Sequence, residues 1–146
     1  MTLMARLKKV CLIAVLILLC APLNSVAASD EIKADSYQIS DLKWQQKTDS
    51  WLCQINGDRV PAYTMYELFS PHRVIIDIAN GNFSGSINFP MKVAKGPVTL
   101  IKGVVLAGQN PAVARIELLL ANDRPYSVTS SGNDIFVQFD LSLIHI

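Results

Sequence analysis

Apolar and polar side chains alternate with a period of two along most of the chain after residue 36, a spacing typical of β-strands. In the segment 73–78, for example, Val74, Ile76 and Ile78 fall on one face. Clusters of Asn, Gly, Asp, Ser and Pro separate such segments and indicate turns. We see no convincing amphipathic helix, so the pattern predicts an all-β sandwich or barrel. The predicted strands are 37–42, 50–55, 63–69, 73–78, 87–89, 99–106, 114–120, 126–130 and 135–139.

The two halves of the chain repeat one order of elements. Segments 55–63 and 121–126 each continue from a strand through Asn and an Asp-Arg pair to Pro and Tyr. A strand, a tight turn and another strand follow in both cases. Turns favour Asn, Asp and Pro in any protein, but here the order matches across three strands. The repeat predicts a sandwich of two related small antiparallel sheets, with each half forming one sheet.

The first 28 residues have the layout of a secretory signal. Three basic residues precede an apolar run at 10–21, and small residues near Ala28 suit cleavage there. At a rise of about 1.5 Å per residue, that run is too short to cross the ~30 Å hydrocarbon core as a helix. We therefore predict a signal-peptide helix at 1–28, a flexible lead-in at 29–36, and one periplasmic domain at 37–140. Membrane contact is expected only through the transient signal.

Composition alone suggests a membrane protein, with 51% hydrophobic residues and a mean hydropathy of +0.31. Much of that excess lies in the predicted signal. The whole chain has a formal charge of +1, and the part after the signal keeps ten basic and twelve acidic residues, a net of about −2. A nucleic-acid-binding protein normally shows a basic stripe, so nucleic acid is not an expected partner.

The sequence shows no arrangement of residues that suits catalysis. It has no glycine-rich phosphate loop and no Cys or His cluster with metal spacing. Of the three cysteines, only Cys53 follows the predicted signal, and its alternating segment favours a small core residue. His72 stands beside Pro71, which suits a hairpin corner better than a catalytic triad. We therefore predict a protein that is not an enzyme, with no catalytic residue, no cofactor and no metal.

Several segments together resemble the AMIN domains of bacterial envelope proteins. None of them is specific alone, but their order and spacing match over roughly 37–140. The motif positions that carry over as structural residues are Pro71, Arg73, Asp77, Arg115 and Tyr126. The matching segments are 66–78 with its Leu, Pro, Arg, hydrophobic run and Asp, the central strand 98–104, the Arg-containing strand 113–118, and the closing hairpin 125–128 and 132–137.

The resemblance implies a non-catalytic periplasmic β-sandwich. AMIN domains stand at the N-terminus of type IV pilus secretins and N-acetylmuramoyl-L-alanine amidases, and they are thought to bind peptidoglycan. The expected partners are peptidoglycan and other envelope or pilus-assembly proteins. The expected parent is a pilus secretin. A cell-wall amidase is the alternative parent, and a stand-alone periplasmic domain that docks proteins by strand addition is a third interpretation.

Peptidoglycan offers sugar faces, which aromatic rings can cover, and carboxylates, which Arg and Lys can pair with. Trp44 is followed by Gln, Gln and Lys and is therefore the ring most expected to be exposed. Trp51 shares a strand face with Cys53, which favours the core. The candidate ligand-binding residues are Trp44, Arg73, Lys102 and Arg115.

Charged residues also share strand faces near these candidates. Arg73 and Asp77 lie on one face of their strand, as do Arg115 and Glu117. Such residues either form salt-linked surface rows, each worth well under ~1 kcal/mol, or a polar strip for wall fragments. The sequence leaves both interpretations open.

The last six residues, 141–146, look like the translated end of a transposon that is used to tag sequencing libraries. A genuine apolar strand end is the other interpretation. We expect a non-native, adapter-derived tail, because AMIN domains close near the position of Phe139.

Overall fold

The computed structural model describes residues 36–141. The predicted signal peptide, most of the lead-in and most of the predicted tail lie outside the described residues. No helix among the described residues is long and apolar enough to span a bilayer. Ten strands follow one another: β1 (Tyr37–Gln46), β2 (Ser50–Gly57), β3 (Tyr63–Leu68), β4 (Arg73–Ala79), β5 (Gly81–Phe83), β6 (Met91–Lys92), β7 (Val98–Leu106), β8 (Val113–Leu120), β9 (Tyr126–Ser131) and β10 (Asp134–Asp140).

The strands form two five-stranded sheets around one hydrophobic core. Sheet 1 has the order β5-β1-β2-β10-β9, and sheet 2 has the order β3-β4-β8-β7-β6. Neighbouring strands are antiparallel except for β5, which runs parallel to β1. The predicted all-β fold of two small antiparallel sheets is therefore confirmed.

The predicted strand at 87–89 is wrong. Ile87 and Phe89 pack against the core, which explains their alternation, but the backbone between them forms no ladder. A turn hydrogen bond from Ile87 N to Ser84 O at 3.2 Å occupies the segment instead, and Pro90 brings no backbone N–H. Two shorter strands, β5 and β6, flank this stretch in place of the predicted one.

A β-bulge interrupts the alternation in β1. Ile39 lies opposite Gly57 and Asp41 lies opposite Asn56, so Ser40 is an extra residue. An extra residue moves the following side chains to the other face of the strand. The core-facing residues are therefore Tyr37 and Ile39 before the bulge, and Leu42 and Trp44 after it. A second bulge shifts β7 at the corresponding place, between Val98 and Leu100.

The two halves of the chain exchange hairpins, so the expectation that each half forms one sheet is wrong. Sheet 1 joins β1 and β2 from the first half to β9 and β10 from the second, and sheet 2 joins β7 and β8 to β3 and β4. The reason lies in the connections after β2 and β8. Each spans several residues and contains a proline, Pro61 or Pro125, which suits a crossing of the ~10 Å between stacked sheets better than a tight hairpin.

This exchange makes positions in the two sheets equivalent. β1, β2, β10 and β9 of sheet 1 correspond to β7, β8, β4 and β3 of sheet 2. Lys43 lies opposite Gln54 in sheet 1, and Lys102 lies opposite Glu117 in sheet 2. Lys43 and Lys102 are therefore equivalent, which offers matched positions for comparing the two outer faces.

The core fills the space between the sheets with side chains from both halves. Cys53 is 0% exposed there, which confirms its predicted role as a core residue, and burial raises the pKa of its thiol to about 12. The other fully buried large side chains of this core are aliphatic except for Phe139: Ile39, Ile55, Ile76, Ile78, Ile101, Ile116, Leu118, Ile135, Val74 and Val98. Ile75 is also 0% exposed, but alternation places it on the outer side of β4, outside this core.

The Tyr37 ring closes one end of this core over a glycine. Tyr37 is 2% exposed, and its hydroxyl donates a hydrogen bond of 2.6 Å to the carbonyl of Asn133. A Cβ on Gly57 would overlap the Tyr37 ring. We expect Gly57→Ala to displace the ring and to lower the free energy of unfolding by about 1–3 kcal/mol, measured by urea denaturation.

Gly85→Ala is the matched control, because a Cβ at Gly85 meets no atom within 4 Å. Its free energy of unfolding should stay within about 0.5 kcal/mol of the wild type. An equal loss in both variants would contradict the proposed packing of Tyr37 on Gly57.

Candidate binding face

The outer surface of sheet 2 collects the three predicted ligand-binding cations. In β4 the inward residues are Val74, Ile76 and Ile78, so alternation turns Arg73 and Asp77 outward. Residues opposite each other in antiparallel strands share a face. Asp77 lies opposite Arg115, and Val104, two residues after Lys102, lies on the other side of Arg115. We call this outer surface, with Arg73, Lys102 and Arg115, the cationic face.

Arg115 forms a forked ion pair with Asp77 across β4 and β8. Its Nε and Nη2 lie 2.8 Å from Oδ1 and Oδ2 of Asp77, respectively. The Arg115 and Asp77 side chains are 25% and 17% exposed. A bidentate pair with this little exposure is stronger than the isolated surface row weighed from the sequence.

Tyr66 completes a network on the neighbouring strand β3. Its hydroxyl accepts a hydrogen bond of 2.8 Å from Arg115 Nη2 and donates one of 3.2 Å to Asp77 Oδ2. The guanidinium carbon of Arg115 lies 5.9 Å from the centre of the Tyr66 ring. These contacts hold the guanidinium in one orientation.

The pKa values of the network follow from these contacts. The hydrogen bonds from Arg115 hold the pKa of the Asp77 carboxyl below its ordinary value, against the opposing effect of desolvation. The same bonds raise the pKa of the Arg115 guanidinium. Burial, followed by the Asp77 charge, raises the pKa of Tyr66. The ion pair is therefore fully charged at neutral pH.

Arg73 lies further along the same face beside Glu117. Its Nε is 3.8 Å from Glu117 Oε2, an ion pair longer than a hydrogen bond, and this nitrogen is buried without an acceptor. Nη1 of Arg73 donates a 3.1 Å hydrogen bond to the carbonyl of Pro71. Arg73 thus ties the β3–β4 turn to the cationic face.

Two open depressions flank the network. One holds about 410 Å³ and is lined by Asp77 and Arg115 together with residues of β3 and of the β7–β8 turn. The other holds about 380 Å³ and is lined by Lys102, Glu117, Val104 and Phe89, among others. Val104, which lines the second depression and lies opposite Arg115, is 47% exposed. The cationic face therefore combines charged groups with exposed aliphatic surface.

Trp44 is not part of the cationic face, and the expectation that it is an exposed ring is wrong. It stacks on Trp51 with ring centres 5.5 Å apart and packs against the core of the sandwich. Its Nε1 donates a hydrogen bond of 3.1 Å to the Lys95 carbonyl. The bulge at Ser40 explains the error, because it turns Trp44 to the inner side of β1.

Gly96 shows how closely the backbone covers these two rings. A Cβ at Gly96 would lie 2.8 Å from the Trp51 ring and 3.0 Å from the Trp44 ring, and its φ is +103°. The tryptophan pair is therefore a half-buried part of the structure. Trp51 packs against the core, as predicted.

Tyr126, another of the motif positions, lies in β9 at the edge of sheet 1. Tyr126 packs on Phe139 with ring centres 5.6 Å apart, and burial together with a hydrogen bond to Glu67 raises its pKa. Glu67 also lies 3.3 Å from His72 Nε2. Since Glu67 belongs to β3 and Tyr126 to β9, the contact connects the two sheets, and His72 lies in a hairpin corner as predicted.

The equivalent outer surface of sheet 1 lacks this arrangement. The positions of the Asp77–Arg115 pair are occupied there by Gln138 and Leu52, which lie opposite each other. Nearby, Gln54 and Asn56 donate hydrogen bonds to Asp134. The outer face of sheet 2 therefore carries a paired guanidinium and carboxylate where the outer face of sheet 1 carries the uncharged Leu52 and Gln138.

Nothing in the sequence indicates the depression next to Arg115. Gln109, in the turn between β7 and β8, lines it with Leu106 and Val113. A turn that approaches a sheet face only after folding leaves no local signal in the sequence. Among residues 36–141, no group of three His, Cys, Asp or Glu side chains is placed to hold a metal ion.

The sequence matches no model of a known protein family, and no curated protein matches it significantly.

The Asp77–Arg115 pair makes stability depend on pH in acid. Because the pKa of Asp77 is lowered on folding, its contribution is complete above the ordinary carboxyl pKa and is lost as pH falls through the lower folded value. We expect Asp77→Asn to cost about 1–3 kcal/mol of unfolding free energy at neutral pH. The difference from wild type should shrink between about pH 5 and about pH 2, measured by urea denaturation at each pH.

Asp123→Asn provides the control, since Asp123 is exposed in the β8–β9 turn. Its stability should follow that of the wild type within about 0.5 kcal/mol over the same pH range. A difference for Asp77→Asn that does not change with pH would contradict a charged Asp77 as the source of the stabilisation.

Proposed function

We propose that this chain is a non-catalytic, exported domain that binds peptidoglycan. The observation that carries the proposal is the cationic face, which places Arg73, Lys102 and Arg115 on one side of one sheet. Carboxylates of the stem peptides are the groups that such a face would attract. The domain would act by holding an attached protein at the cell wall.

The difference between the two outer faces supports this proposal. The sandwich is built from two equivalent sheets, so packing alone gives no reason for one face to carry a guanidinium network and the other Gln138 and Leu52. A polymer with anionic groups would discriminate between these faces by charge. The exposed aliphatic surface near Val104 adds apolar contact area for the same ligand.

A repeating polymer also suits a shallow face of this kind. Each exposed ion pair is worth only about 0.2–1 kcal/mol, so one contact would bind weakly. Peptidoglycan repeats its carboxylates, and several weak contacts in one assembly raise the overall affinity. We therefore expect modest affinity for small wall fragments and stronger retention on intact sacculi.

The sequence resemblance to AMIN domains and the secretory layout of 1–28 point the same way. We propose a type IV pilus secretin as the parent protein and the periplasm as its location. Other envelope or pilus-assembly proteins would then be neighbours of the domain, and its wall contact would keep them in place.

Charge reversal on the cationic face tests the proposal. Lys102 is exposed, so Lys102→Glu should leave the fold intact. We expect the variant to bind purified sacculi about fivefold more weakly, which corresponds to about 1 kcal/mol, in a co-sedimentation assay at low ionic strength and neutral pH. Wild-type binding should also weaken with added salt.

Lys43→Glu makes the same change at the equivalent position of sheet 1. Lys43 is exposed and lies 3.5 Å from Asp41. Because it belongs to sheet 1 and not to the cationic face, its reversal should leave sacculus binding unchanged. Equal weakening by both variants would show that total charge matters and would overturn the assignment to the cationic face. A wild-type protein that does not sediment with sacculi would overturn the proposed function.

A further inference from the structure

The open depression beside Arg115, which we call the groove, has charged side chains in one part of its lining. Arg115 and Asp77 are those side chains, and the volume is about 410 Å³. Val113, Leu106 and Ala79 contribute aliphatic surface, and Gln109 stands at the rim in the exposed β7–β8 turn. A groove of this size accommodates a few residues of a small peptide rather than a folded partner.

The hydrogen bonds that Asp77 and Arg115 already make determine which ligand group can bind beside them. Both oxygens of Asp77 already accept hydrogen bonds, from Arg115 and from Tyr66. Nε and Nη2 of Arg115 are likewise engaged. Nη1 of Arg115 makes no hydrogen bond among residues 36–141. It is therefore the N–H donor of this network that a ligand oxygen can accept from.

The pairing with Asp77 sets the direction of those donors. A guanidinium is planar, so fixing Nε and Nη2 also fixes the plane in which the Nη1 hydrogens lie. A ligand oxygen that meets Nη1 therefore finds a donor whose orientation is already set. Such preorganised, charge-assisted hydrogen bonds are strongest with carboxylates.

We propose that this groove binds the free terminal carboxylate of a short peptide with small apolar side chains. This inference rests on the proposed function, because the stem peptides of peptidoglycan end in alanine residues with free carboxylates. The carboxylate would meet Nη1 of Arg115, and the methyl groups would contact Val113 and Leu106. The domain would then read the peptide rather than the glycan.

The equivalent place on sheet 1 cannot bind in this way. Leu52 stands where Arg115 is, and Gln138 stands where Asp77 is. Neither side chain carries a positive charge. The inference therefore requires one carboxylate site for each chain, on sheet 2.

The probes are N-acetyl-D-alanyl-D-alanine and its C-terminal amide, titrated into the purified protein and followed by NMR chemical shifts. The two differ only in the terminal group, which is a charged carboxylate in the acid and a neutral amide in the other. We expect the Kd of the acid to be about tenfold lower than that of the amide, the effect of one charge-assisted hydrogen bond. Shifts should centre on Arg115, Val113 and Gln109.

Gln109→Glu tests the location without disturbing the Arg115 network. It adds a negative charge at the rim of the groove, and we expect it to weaken binding of the acid about fivefold and to leave binding of the amide unchanged. Gln138→Glu is the matched control, since Gln138 is exposed on sheet 1, and it should leave both Kd values unchanged.

The outcomes separate this inference from the proposed function. If acid and amide bind equally while the protein still sediments with sacculi, the carboxylate site is wrong and peptidoglycan binding stands. Equal weakening by Gln109→Glu and Gln138→Glu would also overturn the site. If the acid binds as expected but sacculi do not, the groove is supported and the peptidoglycan function is overturned.

Discussion

The pairing of β4 with β8 determines most of what is distinctive in this molecule. These strands come from opposite halves of the chain, and their contact joins the halves within one sheet. The same register places Ile76 beside Ile116 in the core and Asp77 beside Arg115 on the outer surface. The hydrophobic interior and the candidate binding face therefore depend on one ladder of backbone hydrogen bonds. Its counterpart, β2 with β10, performs the same structural role in sheet 1.

The approximate symmetry of the two sheets makes their difference informative. Equivalent strands carry mainly apolar inward residues, because both sheets enclose the same core. Outward residues are free of that constraint, and there the sheets diverge. A guanidinium–carboxylate–phenol network faces outward from sheet 2, whereas the equivalent positions of sheet 1 carry Leu52 and Gln138. Divergence at positions released from core packing is the physical basis for assigning a function to one face.

Several features of the fold follow from local sequence. The segment 73–78 must be a strand with Val74, Ile76 and Ile78 inward, because β-branched residues at alternate positions suit a half-buried strand. Cys53 was correctly placed in the core because it shares one face of its alternating strand with Trp51 and Ile55. The prediction at 87–89 was wrong because alternation records burial of side chains and does not require backbone pairing. Trp44 was misplaced because Ser40 looks like any other strand residue until its bulge is seen in the ladder.

The candidate site likewise combines features that the local sequence indicates with features that only the fold shows. Arg73, Lys102 and Arg115 were identified from the sequence as cations on strands, but nothing local shows that they share a surface. By itself, the sequence determined the positions of most strands, their inward residues and the turns. Side-chain alternation and turn formation depend only on residues that are close together in the chain. Only the tertiary structure decided that the hairpins exchange, that Asp77 meets Arg115 38 residues away, and that Gln109 borders their groove. Those facts depend on which strands pair and in which register, and that choice is made by the path of the chain between the sheets.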